Sequence, residues 1–315
     1  MKKIAVMTAL ALCMTAQAKD EKIAVFTKNL TNPYFQVVRL GADAAAKQMG
    51  AVTQHYVPTK PDSIPEQMSQ VEDVIVKKPD AIVFIPVDSK AMVVGANKMN
   101  AANIPVVNVT DRSAGGKFVA FVGADDYRLG LETARFLFKA MGGQGNIVII
   151  EGVRASKTNV DRVQGYHKAL EEFPGIKLLA SQPGNYQRNQ ALQVMENLMQ
   201  SFPKIDGVLA ANDAMATGVI EAMAGANRKA LIVGMNGTKE ALDAIKAGKL
   251  LASADYAGFE QGCLGTMIAL RHLRKQPVAA EVVFPAIMIH KDNYQRFDVP
   301  AEQRSCPSYE ELTKK

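Results

Sequence analysis

The 315-residue chain has no tryptophan, four histidines and three cysteines. Each scarcity excludes something. The histidines (His55, His167, His272, His290) are scattered and show no metal-ligand spacing, so no metal site is expected. No C-x-x-C pair exists, which removes a thioredoxin-like redox site. G-x-S-x-G, H-E-x-x-H and the P-loop pattern are all missing. The run "GGQG" (142–145) precedes a strand-like segment instead of following one, so it makes a poor dinucleotide loop. An enzyme is therefore not expected, and neither is a cofactor. Runs of lysine and arginine are absent too, which argues against nucleic acid as a partner.

Long apolar runs are also rare. Only the first 18 residues, "MKKIAVMTALALCMTAQA", carry one, and it is too short for the roughly 20 residues that span a bilayer. Two lysines, an apolar stretch and Ala16-Gln17-Ala18 read as a secretory signal cleaved after Ala18. Cys13 would suit a lipoprotein, but Leu12 before it is bulkier than the usual small residue. Removing Lys2 and Lys3 takes the net charge from +6 to +4, mildly basic and spread along the chain. Export would place the mature chain in an oxidising compartment, where Cys263 and Cys306 can pair. Cys263 lies in a helical pattern and Cys306 in the C-terminal tail. A disulfide stapling the tail is the reading, with two separate buried thiols as the alternative.

What is present is an alternation. Short β-branched runs such as "KIAVFTK" (22–28), "AIVFIP" (81–86), "NIVIIEG" (146–152) and "ALIVGMN" (230–236) alternate with helical stretches of 10–17 residues. Ten strands are read by residue 256, and one more near 286–290. Apolar strands separated by helices argue for α/β architecture with doubly wound parallel sheets. Hydrophobic residues make up 48% of the chain and mean hydropathy is near zero, as in a globular protein. A mature length near 297 residues (315 minus 18) is long for one open sheet, and "VGADD" (122–126) marks a boundary. The expected units are a first lobe from 19–124 plus 256–286, and a second lobe from 125–255. The tail 287–315 is split across the hinge.

In such sheets ligands bind beyond the carboxyl ends of the strands. Unusual residues gather there: "NPYF" (32–35), "TDR" (110–112), "RVQGY" (162–166), "SQPGNY" (181–186), "AANDAMATG" (210–218) and "VGMNGT" (233–238). As a set, over essentially the whole mature chain, they resemble the ribose-binding-protein family, the periplasmic sugar-binding components of ABC importers. That resemblance implies the type I periplasmic binding protein fold: two lobes joined by a three-stranded hinge, closing on a sugar or polyol. It implies an inner-membrane ABC permease as partner, with a chemoreceptor or kinase ectodomain as the alternative, and a monomer. It also implies ligand contacts from Asn32, Tyr34, Phe35, Asp111, Arg112, Arg162, Tyr186, Asn212, Asn236 and the position of Tyr256. The related repressors carry an N-terminal DNA-binding helix pair, where this chain has the signal-like segment.

The residue chemistry suits the implication. Tyrosine and phenylalanine rings cover the C–H faces of a sugar, while charged and amide groups hold pairs of hydroxyls. Three positions depart from the ribose pattern: Lys28 replaces a small hydroxyl residue, Asn236 an aspartate and Tyr256 a glutamine. Counting Lys28, Arg112 and Arg162 against Asp111 gives the expected pocket a charge of +2, which would tolerate an acceptor-rich or anionic ligand. Plain ribose is then doubtful. Another pentose or hexose, a polyol or a sugar acid stays open.

Overall fold

A computed structural model describes residues 20–154 and 156–314. The signal-peptide reading of residues 1–18 lies outside the described residues. The chain forms two lobes, each built on a six-stranded sheet.

The first lobe contains β1 (Glu21–Phe26), β2 (Ala51–Tyr56), β3 (Ala81–Phe84), β4 (Val106–Val109) and β5 (Ala120–Ala124). Between them run α1 (Pro33–Met49), α2 (Ile64–Lys77) and α3 (Val93–Ala101). Alternate strand residues face opposite sides, as the two-residue period requires. Ile23, Val25 and Val83 join one core cluster, while Ala24, Phe26 and Phe84 join another. Both faces are therefore apolar, which is why these strands read as unbroken hydrophobic runs.

After β5 the chain crosses to the second lobe. There α4 (Asp126–Ala140), β6 (Gln144–Glu151), α5 (Lys157–Glu172), β7 (Gly175–Pro183) and α6 (Arg188–Ser201) follow. They continue into β8 (Gly207–Ala210), α7 (Asp213–Gly225), β9 (Leu231–Asn236), α8 (Lys239–Lys246) and β10 (Ala252–Asp255). A second crossing leads to α9 (Gly258–Leu273) and β11 (Glu281–Phe284), both in the first lobe. A third leads to β12 (Ile287–His290), back in the second, before α10 (Tyr309–Thr313). The sheet orders are β11-β5-β4-β3-β1-β2 and β12-β10-β9-β8-β6-β7. All pairings are parallel except β10 with β12.

The sequence reading missed β11 and took the stretch near 286–290 as the only strand after 256. Pro285 explains the difference. It interrupts an apolar run and removes a backbone donor, so "EVVF" finishes one sheet and "IMIH" starts an edge of the other.

Cys263 and Cys306 are joined by a disulfide across 43 residues. Closing a loop of that size removes about 4 kcal/mol of unfolded-chain entropy, an upper figure. Cys306→Ser is expected to lower the denaturant midpoint clearly. An unchanged midpoint would mean that the tail adds nothing to stability.

Candidate functional site

Between the lobes lies a small cavity of about 30 Å³, bordered by residues from both. Nearly every bordering side chain comes from a strand's carboxyl end or the helix start beyond it.

The β1–α1 turn supplies Lys28, Asn29, Asn32, Tyr34 and Phe35. Asn32 caps α1: its Oδ1 accepts from the Tyr34 backbone N–H at 3.1 Å. Pro33 at the first helical position fits because its missing N–H would have no helical partner. The cap fixes the direction in which the two rings leave the helix. They stand edge to face at 5.3 Å. Tyr34 Oη shares a 3.1 Å hydrogen bond with Thr110 Oγ1, which donates to Gln261 Oε1 at 2.8 Å. A Cβ at Gly258 would lie 2.7 Å from the Tyr34 ring, so only glycine lets the start of α9 approach so closely.

Beyond β4, Thr110 adopts a left-handed conformation at φ 63°. The chain turns there, and Asp111 and Arg112 part company. Asp111 is buried in the cleft, where Lys28 Nζ lies 3.3 Å from its carboxylate. The Thr158 hydroxyl donates to the same carboxylate from the other lobe. Arg112 turns outward with its side chain 49% exposed, pairs with Glu281 and lies 3.7 Å over the Phe121 ring. Arg112, expected among the ligand contacts, therefore does not border the cavity in this structure. Its anchor, Glu281, opens β11, the strand that the sequence reading missed.

From the second lobe come Thr158 and Arg162 on α5, Tyr186 before α6, Asn212 before α7 and Asn236 at the end of β9. Asn212 caps α7 by accepting from Met215 N–H at 2.9 Å, and its Nδ2 donates to the Tyr186 carbonyl at 3.4 Å. Tyr186 itself has φ 59°, and a Cβ on Gly152 would overlap its ring at 2.0 Å. Asn236 has φ 131°, a conformation that costs a non-glycine residue about 1–3 kcal/mol. Its Oδ1 is buried with no hydrogen-bond partner among the described residues. Strain and an unpaired acceptor at one cleft residue are what a site built to receive a hydroxyl donor would show.

Arg162, 2% exposed, is held on three sides. Its Nε donates to Asp126 at 2.8 Å and its Nη1 to the Ala211 carbonyl at 2.7 Å. Its guanidinium lies 4.6 Å from the centre of the Tyr256 ring. Tyr256 donates to the other Asp126 oxygen at 3.1 Å and packs 5.2 Å from Tyr34. Burial pushes the Asp126 carboxyl up to about 6 against the pull of Arg162. The same burial raises Tyr34 and Tyr256 well above the ordinary tyrosine value, so both stay protonated as donors.

Asp62, absent from the sequence reading, changes the charge balance. It borders the cavity beside Lys28 and accepts from Asn29 Nδ2 at 3.2 Å. Burial works against the Lys28 ammonium, yet Asp111 and Asp62 outweigh it and hold its pKa above the usual lysine value. The expected +2 is therefore corrected. Arg112 leaves the count and Asp62 enters it, giving 2 − 2 = 0 among the residues that border the cavity. Both buried cations already face carboxylates. Asp62 lies before α2 in a turn-like "KPDS" that carried no strand-end signal. Thr110, Thr158 and Asp126 were missed because each also reads as an ordinary turn or helix-start residue.

Comparison with known proteins identifies the family and the fold. The family model described as periplasmic binding protein domain matches residues 23–277. The chain is 29% identical to the ribose import binding protein of Haemophilus influenzae, over 88% of this chain and 94% of that one. It is 30% identical to the xylitol-binding protein of Mycolicibacterium smegmatis, over 74% and 67%. The solved structure of an ABC transporter periplasmic solute binding protein from Actinobacillus succinogenes, with bound D-allose, superposes with a TM-score of 0.84 at 33% identity. That match covers 88% of this chain and all of the other.

Proposed function

The chain belongs to the periplasmic binding protein domain family, and from that premise we propose that it captures a neutral monosaccharide or closely related polyol between its lobes and delivers it to an ABC permease. Members of this family bind substrates and are not enzymes, and relatives of this chain are named for ribose, xylitol and D-allose. The proposed place of action is the periplasm. One observation carries the choice of ligand: a cavity bordered by both lobes holds rings, amides and hydroxyls but no uncompensated cation.

In this reading Tyr34, Phe35 and Tyr186 cover the ligand's C–H faces. Asp111, Asn32, Asn212, Asn236 and Arg162 meet its hydroxyls. Asn236 Oδ1 accepts a hydrogen bond from one of them and gains the partner it lacks. Lys28 is locked between Asp62 and Asp111 and serves as a positioned donor, not as an anion receptor. A carboxylate placed here would face Asp62 and Asp111 with both cations engaged, so a sugar acid is disfavoured. Closure follows because the ligand touches both lobes only when they meet, and that differential contact shifts the open–closed equilibrium. Thr158 reaching Asp111 and Thr31 Oγ1 donating to Gln187 at 3.1 Å are bonds of the closed arrangement.

A thermal-shift screen of the mature protein tests this. At a ligand concentration of 100 times Kd, stabilisation is about 2.7 kcal/mol. For a chain of this size that is a rise of roughly 4–5 °C. At least one neutral pentose, hexose or polyol is expected to produce it, and the matching aldonic or uronic acid to produce none. A shift from the acids alone would reverse the charge argument.

A further inference from the structure

Beyond β12 the chain is still in the second lobe. The 3-10 turn Tyr294–Arg296 packs on α8, and Tyr294 and Phe297 rest against the second lobe's core. Lys239 of α8 lies 3.6 Å from Asp298. Three residues later the chain belongs to the first lobe. The turn Ala301–Gln303 packs on α1, and Ala301 rests against the first lobe's core. Cys306 is bonded to Cys263 of α9, and Leu312 of α10 is buried in the same core. The chain thus passes between the lobes a fourth time, where the family resemblance implied three crossings.

This fourth connection is short. Four Cα steps from Phe297 to Ala301 reach at most about 14 Å when fully extended. It is also held in place. Arg304 donates to the Val299 carbonyl at 2.9 Å and to the Phe297 carbonyl at 3.0 Å, with its guanidinium 5.9 Å from the Phe259 ring of α9. A groove separates it from the hinge: Asp255 and Gly258 line one side, Phe297 and Val299 another. This connection therefore runs apart from the crossing at Asp255–Gly258.

We propose that Phe297–Ala301 is a strap that limits how far the lobes open, and that the Cys263–Cys306 disulfide anchors it to the first lobe. With the anchor closed, wide opening requires Phe297 or Ala301 to leave its core. A restricted open ensemble loses less freedom on closing, so the strap favours the closed state and slows release. Without the disulfide, the tail beyond Pro300 can peel from α9 and the limit is lifted.

Small-angle X-ray scattering of the ligand-free mature protein tests the proposal without requiring any ligand, so its failure would leave the sugar-capture reading standing. Two variants are compared with wild type: Cys263→Ser/Cys306→Ser, and a six-residue Gly-Ser insertion between Val299 and Pro300 that keeps the disulfide. Both are expected to raise the radius of gyration by at least about 1 Å over the roughly 19 Å of a compact chain this long. Wild-type values in both variants would overturn the strap. Expansion with the insertion alone would keep the strap and overturn the anchor. Expansion of the double serine variant alone would overturn the strap, since lengthening it had no effect. Should the serine variant fail to fold, the insertion decides the matter.

Discussion

Arg162→Ala is expected to lower the melting temperature of the ligand-free protein by about 5 °C, the equivalent of roughly 3 kcal/mol in a chain of this size. The sequence alone suggests that this change spares the fold and only weakens binding. The structure gives a different expectation. Arg162 neutralises the buried Asp126, donates to the Ala211 carbonyl and lies over the Tyr256 ring. Removing one partner of a buried pair leaves the other charge uncompensated, typically at about 3–5 kcal/mol. The pH dependence follows from Asp126. Its carboxyl stands at about 6 with Arg162 beside it, above the ordinary 3.8, because burial disfavours the charge. Without Arg162 the restraining pull is gone and the value rises further. A folded-state pKa raised in this way gives stability that is present below the unfolded value and lost as pH rises through the folded one. The destabilisation of Arg162→Ala relative to wild type should therefore be smallest near pH 5 and grow toward pH 8. A deficit that stays flat over that range would show that Asp126 is not the group left exposed to the change.

Asp111→Ala is expected to remove binding and also to cost some stability, because the buried Lys28 is left with Asp62 alone as its counter-charge. Asp111 borders the cavity and is met by Lys28 from its own lobe and Thr158 from the other. Its loss deletes both the proposed ligand contact and a bond made on closure. Two hydrogen bonds to a charged group, at about 1.5 kcal/mol each, amount to at least a hundredfold in affinity. Calorimetry with the strongest neutral ligand from the thermal screen measures it directly. Affinity within threefold of wild type would remove Asp111 from the site. Arg162 and Asp111 stand 51 residues apart in sequence and both are buried. Yet one is expected to matter first to stability and the other first to binding.

The sequence made the sheets legible because both faces of each are covered. Strands such as "AIVF" (81–84) and "GVLA" (207–210) are wholly buried, so their apolar runs could not be mistaken for solvent-facing segments. The strand ends were legible for the same reason, since a polar cluster after such a run has few other places to be. That logic locates Asn32, Tyr34, Asp111, Asn212 and Asn236. It does not resolve which of two adjacent residues faces inward. Asp111 and Arg112 are separated by a left-handed Thr110 and by Glu281, which lies 169 residues beyond Arg112. Asp62 reaches the cavity by a long-range approach to Lys28 that no local pattern announces. Asp126 reads as the first residue of a helix, and its partners Arg162 and Tyr256 lie 36 and 130 residues away. What local spacing cannot carry is the pairing of charges across elements, and here that pairing cancels the positive charge expected of the site.

Titration calorimetry of the mature wild-type protein against neutral sugars, polyols and their matched acids bears most directly on capture of an uncharged polyhydroxylated solute. The prediction is at least one neutral ligand with Kd near or below micromolar, about −8 kcal/mol or better, and no acid within tenfold of it. Heat from an acid, with the neutral panel silent, would contradict the account.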